Sequence, residues 1–328
     1  MPTEIWFDAH LDLAYLQLQG RPMHLALSNV QQQEPGASVT VRSLADAKVR
    51  TVLATIFVQP WDRRPEAVNG PWCYQGHEDA YQLAKRQLDI YDQWYAAGLL
   101  QRAPQSGNNS PTAYLLMEGC DPIREIDDIE FFYGRGVRVI SLTWIGANRW
   151  AAGNNAEGGL TGDGKRLLQR ADELGMILDV SHLSERAFFD AIDTYPGAII
   201  ASHSNCRELL PPPLQSPRNL TDEQIRRLFH RRATIGINLY SKFLASGRAT
   251  LDDVARHIEH MADIGGSMNF IGLGSDMDGG FDATALPVNL ESHADLPHLA
   301  EALSQAGIAG EDISRFAFHN WESAIGLR

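Results

Sequence analysis

The stretch from Met176 to Asn205 constrains the fold more than any other. It reads Met176-Ile177-Leu178-Asp179-Val180-Ser181-His182, then a helical segment, then Ala198-Ile199-Ile200-Ala201-Ser202-His203-Ser204-Asn205. Each half is a short apolar run suited to a parallel strand buried on both faces, and each ends on Ser-His. Between them Ser184 stands as an N-cap, and Glu185 to Ile192 carries apolar residues at helical spacing. The reading is a β-α-β unit with one imidazole at the carboxyl end of each strand. Neighbouring parallel strands lie about 5 Å apart, so two such side chains can reach one ion. A lone histidine is usually structural, whereas a matched pair on consecutive strand ends favours ligands.

Further strand-like runs surround this unit. The first spans Glu4 to His10 and is followed by an irregular polar stretch to about Val39. The second spans Val49 to Val58, the third Thr112 to Met117 and the fourth Val137 to Trp144. The opening unit supplies the fifth and sixth. The seventh spans Thr234 to Tyr240 and the eighth Phe270 to Ser275. An amphipathic helix is expected from Glu78 to Ala97, with Ala80, Leu83, Ala84, Leu88 and Tyr91 near one face. Helical patterns recur at Lys165–Leu174, Asp222–His230 and Leu251–Ile264. This alternation points to an α/β protein, a distorted (β/α)₈ TIM barrel, although strand order is not legible and a doubly wound sheet remains as the alternative. No linker, repeat or low-complexity tract divides the chain, and Pro211-Pro212-Pro213 reads as a rigid loop. A single domain over residues 1–328 is expected.

Composition narrows the partners. A net charge of −13 over 328 residues argues against a nucleic-acid surface and leaves no polybasic patch for anionic lipid. Cys73, Cys120 and Cys206 are odd in number and far apart, forming neither a disulfide framework nor a CxxC metal motif. No basic region with a long apolar run follows Met1, and no window approaches the roughly 18 apolar residues of a membrane span. A cytoplasmic protein with no membrane partner is expected.

In such barrels the chemistry lies at the carboxyl ends of the strands. Strand one ends Asp8-Ala9-His10-Leu11-Asp12. Side chains two apart on a strand share a face, so His10 and Asp12 either converge on a metal or form a buried hydrogen bond. Strand three ends on Glu118, a carboxylate after apolar residues that needs an arginine partner or a bridged pair of metals. Strand eight runs into Ser275-Asp276-Met277-Asp278-Gly279. Asp276 is expected to face the mouth, and Asp278 reads as a turn residue. Imidazole plus carboxylate ligands suit zinc, manganese or iron, with zinc the default. Two adjacent ions would generate a hydroxide near neutral pH, and Asp276 could carry its proton to a leaving group.

These pieces together resemble the membrane (renal) dipeptidase family of zinc peptidases, peptidase family M19, within the amidohydrolase-like barrels. The resemblance covers almost the whole chain. It is carried by Asp8-Ala9-His10-Leu11-Asp12, Met117-Glu118-Gly119, Asp179-Val180-Ser181-His182, Ser202-His203-Ser204, Arg218-Asn219 and Gly274-Ser275-Asp276-Met277-Asp278-Gly279. It implies two zinc ions, His10 and Asp12 on one, His182 and His203 on the other, and Glu118 bridging. It implies that Asp276 shuttles the proton of a metal-bridging hydroxide and that Arg218 binds the substrate's terminal carboxylate. For Arg218 the residues alone leave open a surface arginine in a Pro-rich loop. Family members usually carry Leu-Thr-His at the end of strand four, where the histidine helps polarise the scissile carbonyl. Here the text is Leu142-Thr143-Trp144, and the sequence resembles a bacterial branch with tryptophan there. Asn148 or Arg149 is expected to supply the missing donor, and Trp144, Asn148 and Tyr240 are candidate substrate contacts.

Other signals are weaker. Gly159 to Arg166 nearly spells a phosphate loop but ends in Arg where Ser or Thr is needed. His257 and His260 read as a solvated helix face, and His293 and His298 as surface residues. No GxSxG elbow supports a serine hydrolase. Trp72, Trp94, Trp150 and Trp321 read as core or pocket wall. The sequence-based expectation is a zinc-dependent dipeptidase acting on small dipeptides, with a homodimer implied only by resemblance. The alternatives are a related amidohydrolase acting on another amide or a lactone, and a non-catalytic binding barrel.

Overall fold

The computed structural model describes residues 5–61, 70–104 and 110–326. Glu4, the expected start of the first strand, lies outside them. Among the described residues, eight parallel strands build the ring in the expected order: Trp6–Leu11, Val49–Phe57, Thr112–Glu118, Val137–Ser141, Ile177–Asp179, Ile199–Ile200, Ile235–Ile237 and Ile271–Leu273, and a short ninth, Gln101–Arg102, pairs alongside the third. Each pairs with the next along most of the sheet. The eighth returns to the first, with Asp8 opposite Leu273. A parallel bridge between Ala201 and Ile235 joins the sixth to the seventh, so the sheet closes into a barrel rather than staying open.

Two apolar layers hold this ring. Inside it, Phe7, Ala9, Leu53, Leu116, Val139, Ile177 and Ile200 pack into a plug closed by Trp321 and Ile325. The Trp321 indole N–H donates to the Leu273 carbonyl at 2.9 Å, which anchors the plug to the last strand. Outside it, the helices bury their apolar stripes against the strands. The seventh and eighth strands approach the sixth very closely: a Cβ at Gly236 or at Gly274 would lie 1.9 Å from the Ser202 carbonyl oxygen. Only glycine fits at either position.

The long helices begin where the sequence supplies caps. Ser184 accepts from the Ala187 amide ahead of Glu185–Thr194. Thr161 does so for Gly162–Glu173, and Thr221 and Thr250 form capping boxes before Asp222–His230 and Leu251–Gly265. The amphipathic helix spans His77–Ala96. The stretch after the first strand is less irregular than expected, because Leu13–Leu18 and Leu27–Val30 are helical. Segments this short carry too few turns for a periodic signal. No helix among the described residues is long and apolar enough to cross a membrane.

Candidate metal centre and substrate chamber

The chemistry-bearing side chains meet at the carboxyl end of the barrel. Glu118 is the last residue of the third strand. His182 and His203 stand at the same offset beyond Asp179 and Ile200, the ends of the fifth and sixth strands. Simple alternation does not account for the first strand. Its register against the second shifts between Asp8 and Leu11, a bulge-like irregularity beside which His10 Nε2 comes to 4.0 Å from Asp12 Oδ1.

Glu118 lies at the centre of the cluster. Its Oε1 is 2.9 Å from His182 Nε2 and 3.8 Å from His203 Nε2, and its Oε2 is 3.4 Å from His10 Nε2. The Nε2 atoms of His182 and His203 are 3.1 Å apart. Rings of His10 and His203 stack with centroids 3.6 Å apart. Two overlapping groups offer ligand atoms within 4.8 Å of one another, His10 with Glu118 and His203, and His10 with Asp12 and Asp276.

Hydrogen-bond partners fix the proton on His182. Its Nδ1 faces Asn154 Oδ1 at 3.3 Å, because the Asn154 amide nitrogen donates to Asn155 Oδ1. Nδ1 therefore donates, and the Nε2 lone pair meets the Glu118 carboxylate at 2.9 Å. Two lone pairs at that distance repel unless a cation lies against them, so the donor set fits small divalent ions.

Electrostatics point the same way. Burial alone would lower the His10 pKa, but Glu118, Asp276 and Asp12 raise it to about 10. Burial would raise the Glu118 carboxyl, yet the charge of His10 beside it holds it well below the usual carboxylate range. Burial, helped by the Arg218 charge, lowers His182 to about 4. Burial, with His10 and Arg218, also keeps His203 well below its ordinary value. Burial and the nearby Asp12 and Glu118 charges push Asp276 up to about 8, against the pull of His10 and Arg218.

Asp276 sits in the left-handed region at φ 59°, and its Oδ2 accepts from Asn238 Nδ2 at 2.9 Å. Asn238 is in turn held by Asn205 and by the Tyr240 amide. Asp278, expected as a plain turn residue, does more. It is buried, pairs with Arg21 at 2.5 Å, and accepts from the Ser38 and Val39 amides at 2.8 Å each. It ties the loop carrying Asp276 to the loop after the first strand.

A chamber of about 320 Å³ opens over the cluster. Phe57, Trp144, Ile145, Asn155, Tyr240 and Phe281 form much of its wall. The Trp144 ring meets Phe57 edge-on at 5.0 Å, and Tyr240 stacks on Phe281 at 4.5 Å. Arg218 also lines it and is not a surface residue, being 5% exposed. Its Nη1 donates to Ser204 Oγ at 3.0 Å and its Nη2 to the His203 carbonyl. Burial lowers its pKa despite the neighbouring carboxylates.

Asn148 and Arg149 lie outside the chamber lining. The Asn148 amide donates to Asp121 and to the Leu142 carbonyl and accepts from the Trp150 and Ala151 amides, which exhausts its capacity. Arg149 bonds to the Arg124 carbonyl and pairs with Asp163. The neutral amides in the chamber wall are Asn154 and Asn155. His293 is buried rather than superficial, its Nε2 2.7 Å from Asp8 Oδ2. His257 is buried too, accepting from the Cys206 amide through Nδ1. Asn238, Asn154 and Asn155 were missed. Asn238 follows the apolar run Ile235–Ile237, the signal that exposed His182, so the same criterion would have found it.

With this geometry in hand, likeness to known proteins adds an independent line. The family model described as membrane dipeptidase (peptidase family M19) matches residues 1–323. An uncharacterized protein in the pqqA 5′ region of Klebsiella pneumoniae is 35% identical over 207 residues, covering 59% of this chain and 73% of that one. An uncharacterized dipeptidase of Schizosaccharomyces pombe is 33% identical over 185 residues, covering 52% of this chain and 43% of its own. The dipeptidase tcpJ of Claviceps purpurea is 29% identical over 196 residues, 57% of this chain and 44% of that one. The match thus spans less than half the length of both fungal relatives. A solved metallopeptidase from Rhodobacter sphaeroides, liganded with a phosphinate mimic of the dipeptide L-Ala-D-Ala, superposes with a TM-score of 0.84. At 22% identity, covering 98% of this chain and 99% of that one, it supports the fold alone.

Proposed function

The chain belongs to the membrane dipeptidase family, peptidase family M19, and from that premise we propose that it is a metal-dependent dipeptidase with a two-ion centre. The carrying observation is the convergence of the His10, His182 and His203 Nε2 atoms on the Glu118 carboxylate, with the buried Arg218 in the same chamber. His10 and Asp12 would hold one ion, His182 and His203 the other, and Glu118 both. Zinc is the first choice for this donor set, and a pair of such ions would activate water near neutral pH and polarise the scissile carbonyl. Arg218 would bind the dipeptide carboxylate with the N–H groups left over from its two protein contacts. Asp276, oriented by Asn238, would take a proton from the attacking water at its carboxylate and return it to the departing nitrogen. The aromatic walls at Phe57, Trp144 and Tyr240 would exclude bulk water from the reaction.

The test joins chemistry to metal content. Zinc-loaded protein is expected to release free amino acids from members of a dipeptide panel, to stop on chelation and to resume on adding zinc. Plasma mass spectrometry should find close to two ions per chain, falling in His182→Ala. A wild type that takes up no zinc removes the hydrolase reading. Trp144 favours one second reading, an amide or lactone hydrolase with other substrates, since indole carries no positive charge to polarise a peptide carbonyl. Bound metal with no dipeptide turnover, but cleavage in a panel of other amides and lactones, would select it.

A further inference from the structure

Asp179 and Ser202 lie beneath the metal cluster, wholly buried, and the proposed chemistry leaves them without a task. Their hydrogen bonds form a closed account. Asp179 Oδ1 accepts from the Ser181 amide at 3.1 Å, the Ser202 amide at 2.9 Å and Ser181 Oγ at 2.6 Å. Its Oδ2 accepts from Ser202 Oγ at 2.6 Å. A carboxylate offers only acceptors, so the Ser202 hydroxyl proton is committed to it. The Ser202 oxygen then has only lone pairs for its remaining neighbours, which include His203 Nδ1 at 2.7 Å and His10 Nδ1 at 3.3 Å. Both nitrogens must bring the proton. A ring that carries its proton on Nδ1 presents a bare Nε2 to a cation. Ser181 does not compete, because its own proton goes to Asp179 and its oxygen accepts the His203 amide at 3.2 Å.

We propose that Asp179 and Ser202 are positioning residues that set the tautomer of His203 and His10 together, aiming one lone pair from each at the two ions. The inference rests on the two-ion reading above, in which these rings serve different ions, so a single hydroxyl would coordinate both halves of the centre. The backbone at Ser202 is also held in place, wedged by its carbonyl between Gly236 and Gly274.

The experiment uses zinc-loaded protein labelled with ¹⁵N-histidine, together with competition for zinc by a chelator of known affinity. In the wild type, His203 and His10 should each carry a slowly exchanging proton on Nδ1, with zinc at Nε2. In Asp179→Asn, three donors still converge on Oδ1, so the new NH₂ must face Ser202 Oγ. That forces the hydroxyl proton toward His203 Nδ1 and displaces the ring proton to Nε2, where it opposes the ion. Zinc affinity should fall about 10–100-fold. Ser202→Ala should speed exchange at both Nδ1 positions and weaken zinc, whereas Ser181→Ala should leave both Nδ1 signals in place. A wild-type His203 protonated on Nε2, or variants of Asp179 and Ser202 with unchanged zinc affinity and exchange, would overturn the proposal. The first readout needs no variant, so misfolding of a mutant does not blunt it. A wild type that binds no zinc is a separate result, one that removes the metal centre itself and this inference with it.

Discussion

Two aspartates separated by one residue show what local sequence can and cannot assign. Asp276 and Asp278 share a glycine-rich loop and both adopt positive φ. The apolar run before Asp276 marks it as mouth-facing, but nothing local shows that Asp278 meets Arg21, whose position is set by tertiary structure. The same limit applies to Asn148, whose amide is taken up partly by its own loop and partly by the distant Asp121. Asp276→Asn should retain zinc yet lose about 10²–10⁴-fold in kcat, measured with equal metal content in both proteins. Normal turnover in that variant would remove the residue from the mechanism. Asn238→Ala withdraws a hydrogen bond from the charged carboxylate and so favours its protonated form. The rising limb of kcat/KM against pH should therefore move to higher pH, and an unmoved limb would assign Asn238 a purely structural part. Arg218→Lys should raise KM with little change in kcat, since a point charge replaces a planar fork; a loss confined to kcat would contradict carboxylate binding.

At the level of elements, apolar runs and caps made most of the architecture readable. All eight strands were legible, but several were expected too long. The run Val137 to Trp144 is a strand only to Ser141, and Thr234 to Tyr240 only over Ile235–Ile237. Strand pairing ends where the chain turns its polar side chains into the mouth, and hydrophobicity does not record that point. Leu296–Gln305 and the helical turns from Gly310 onward were not anticipated beyond the histidines ahead of them. The Ser-His ends of strands five and six were legible because both motifs are local, whereas the bulge that brings Asp12 near His10 is a property of pairing. Gly236→Ala tests the close approach of strands six and seven. Its Cβ would enter the Ser202 carbonyl, and a loss on the order of 3–5 kcal/mol in denaturant unfolding is expected. A loss within about 0.5 kcal/mol would mean that the strands separate without strain.

For the whole molecule, the site's electrostatics predict how the stability of the metal-free protein responds to pH. Asp276, raised from 3.8 to about 8, binds its proton more tightly in the fold, so its contribution to stability declines as pH rises between those values. His10, raised from 6.5 to about 10, contributes stability below 6.5 that is lost as pH climbs toward 10. His182, lowered from 6.5 to about 4, opposes this only between about 4 and 6.5. Chelated protein should therefore melt at progressively lower temperature from about pH 6.5 to 8. In the proposed two-ion centre zinc would take the place of the displaced protons, so the difference in Tm between zinc-loaded and chelated protein should widen over that range. A constant difference by scanning calorimetry would contradict these assignments. Closure of the barrel was not readable from the chain, because strand order is fixed by packing between distant segments. One of those segments sets a condition on synthesis. Trp321 completes the barrel's inner plug and bonds to the Leu273 carbonyl, although every candidate ligand and catalytic residue precedes it. A ribosome that has finished the last of those residues has still not delivered the side chain that seals the ring. On the proposed reading, metal capture would follow emergence of that helix from the exit tunnel, and a stop codon just ahead of Trp321 would spare the whole chemical inventory while leaving the ring without its plug.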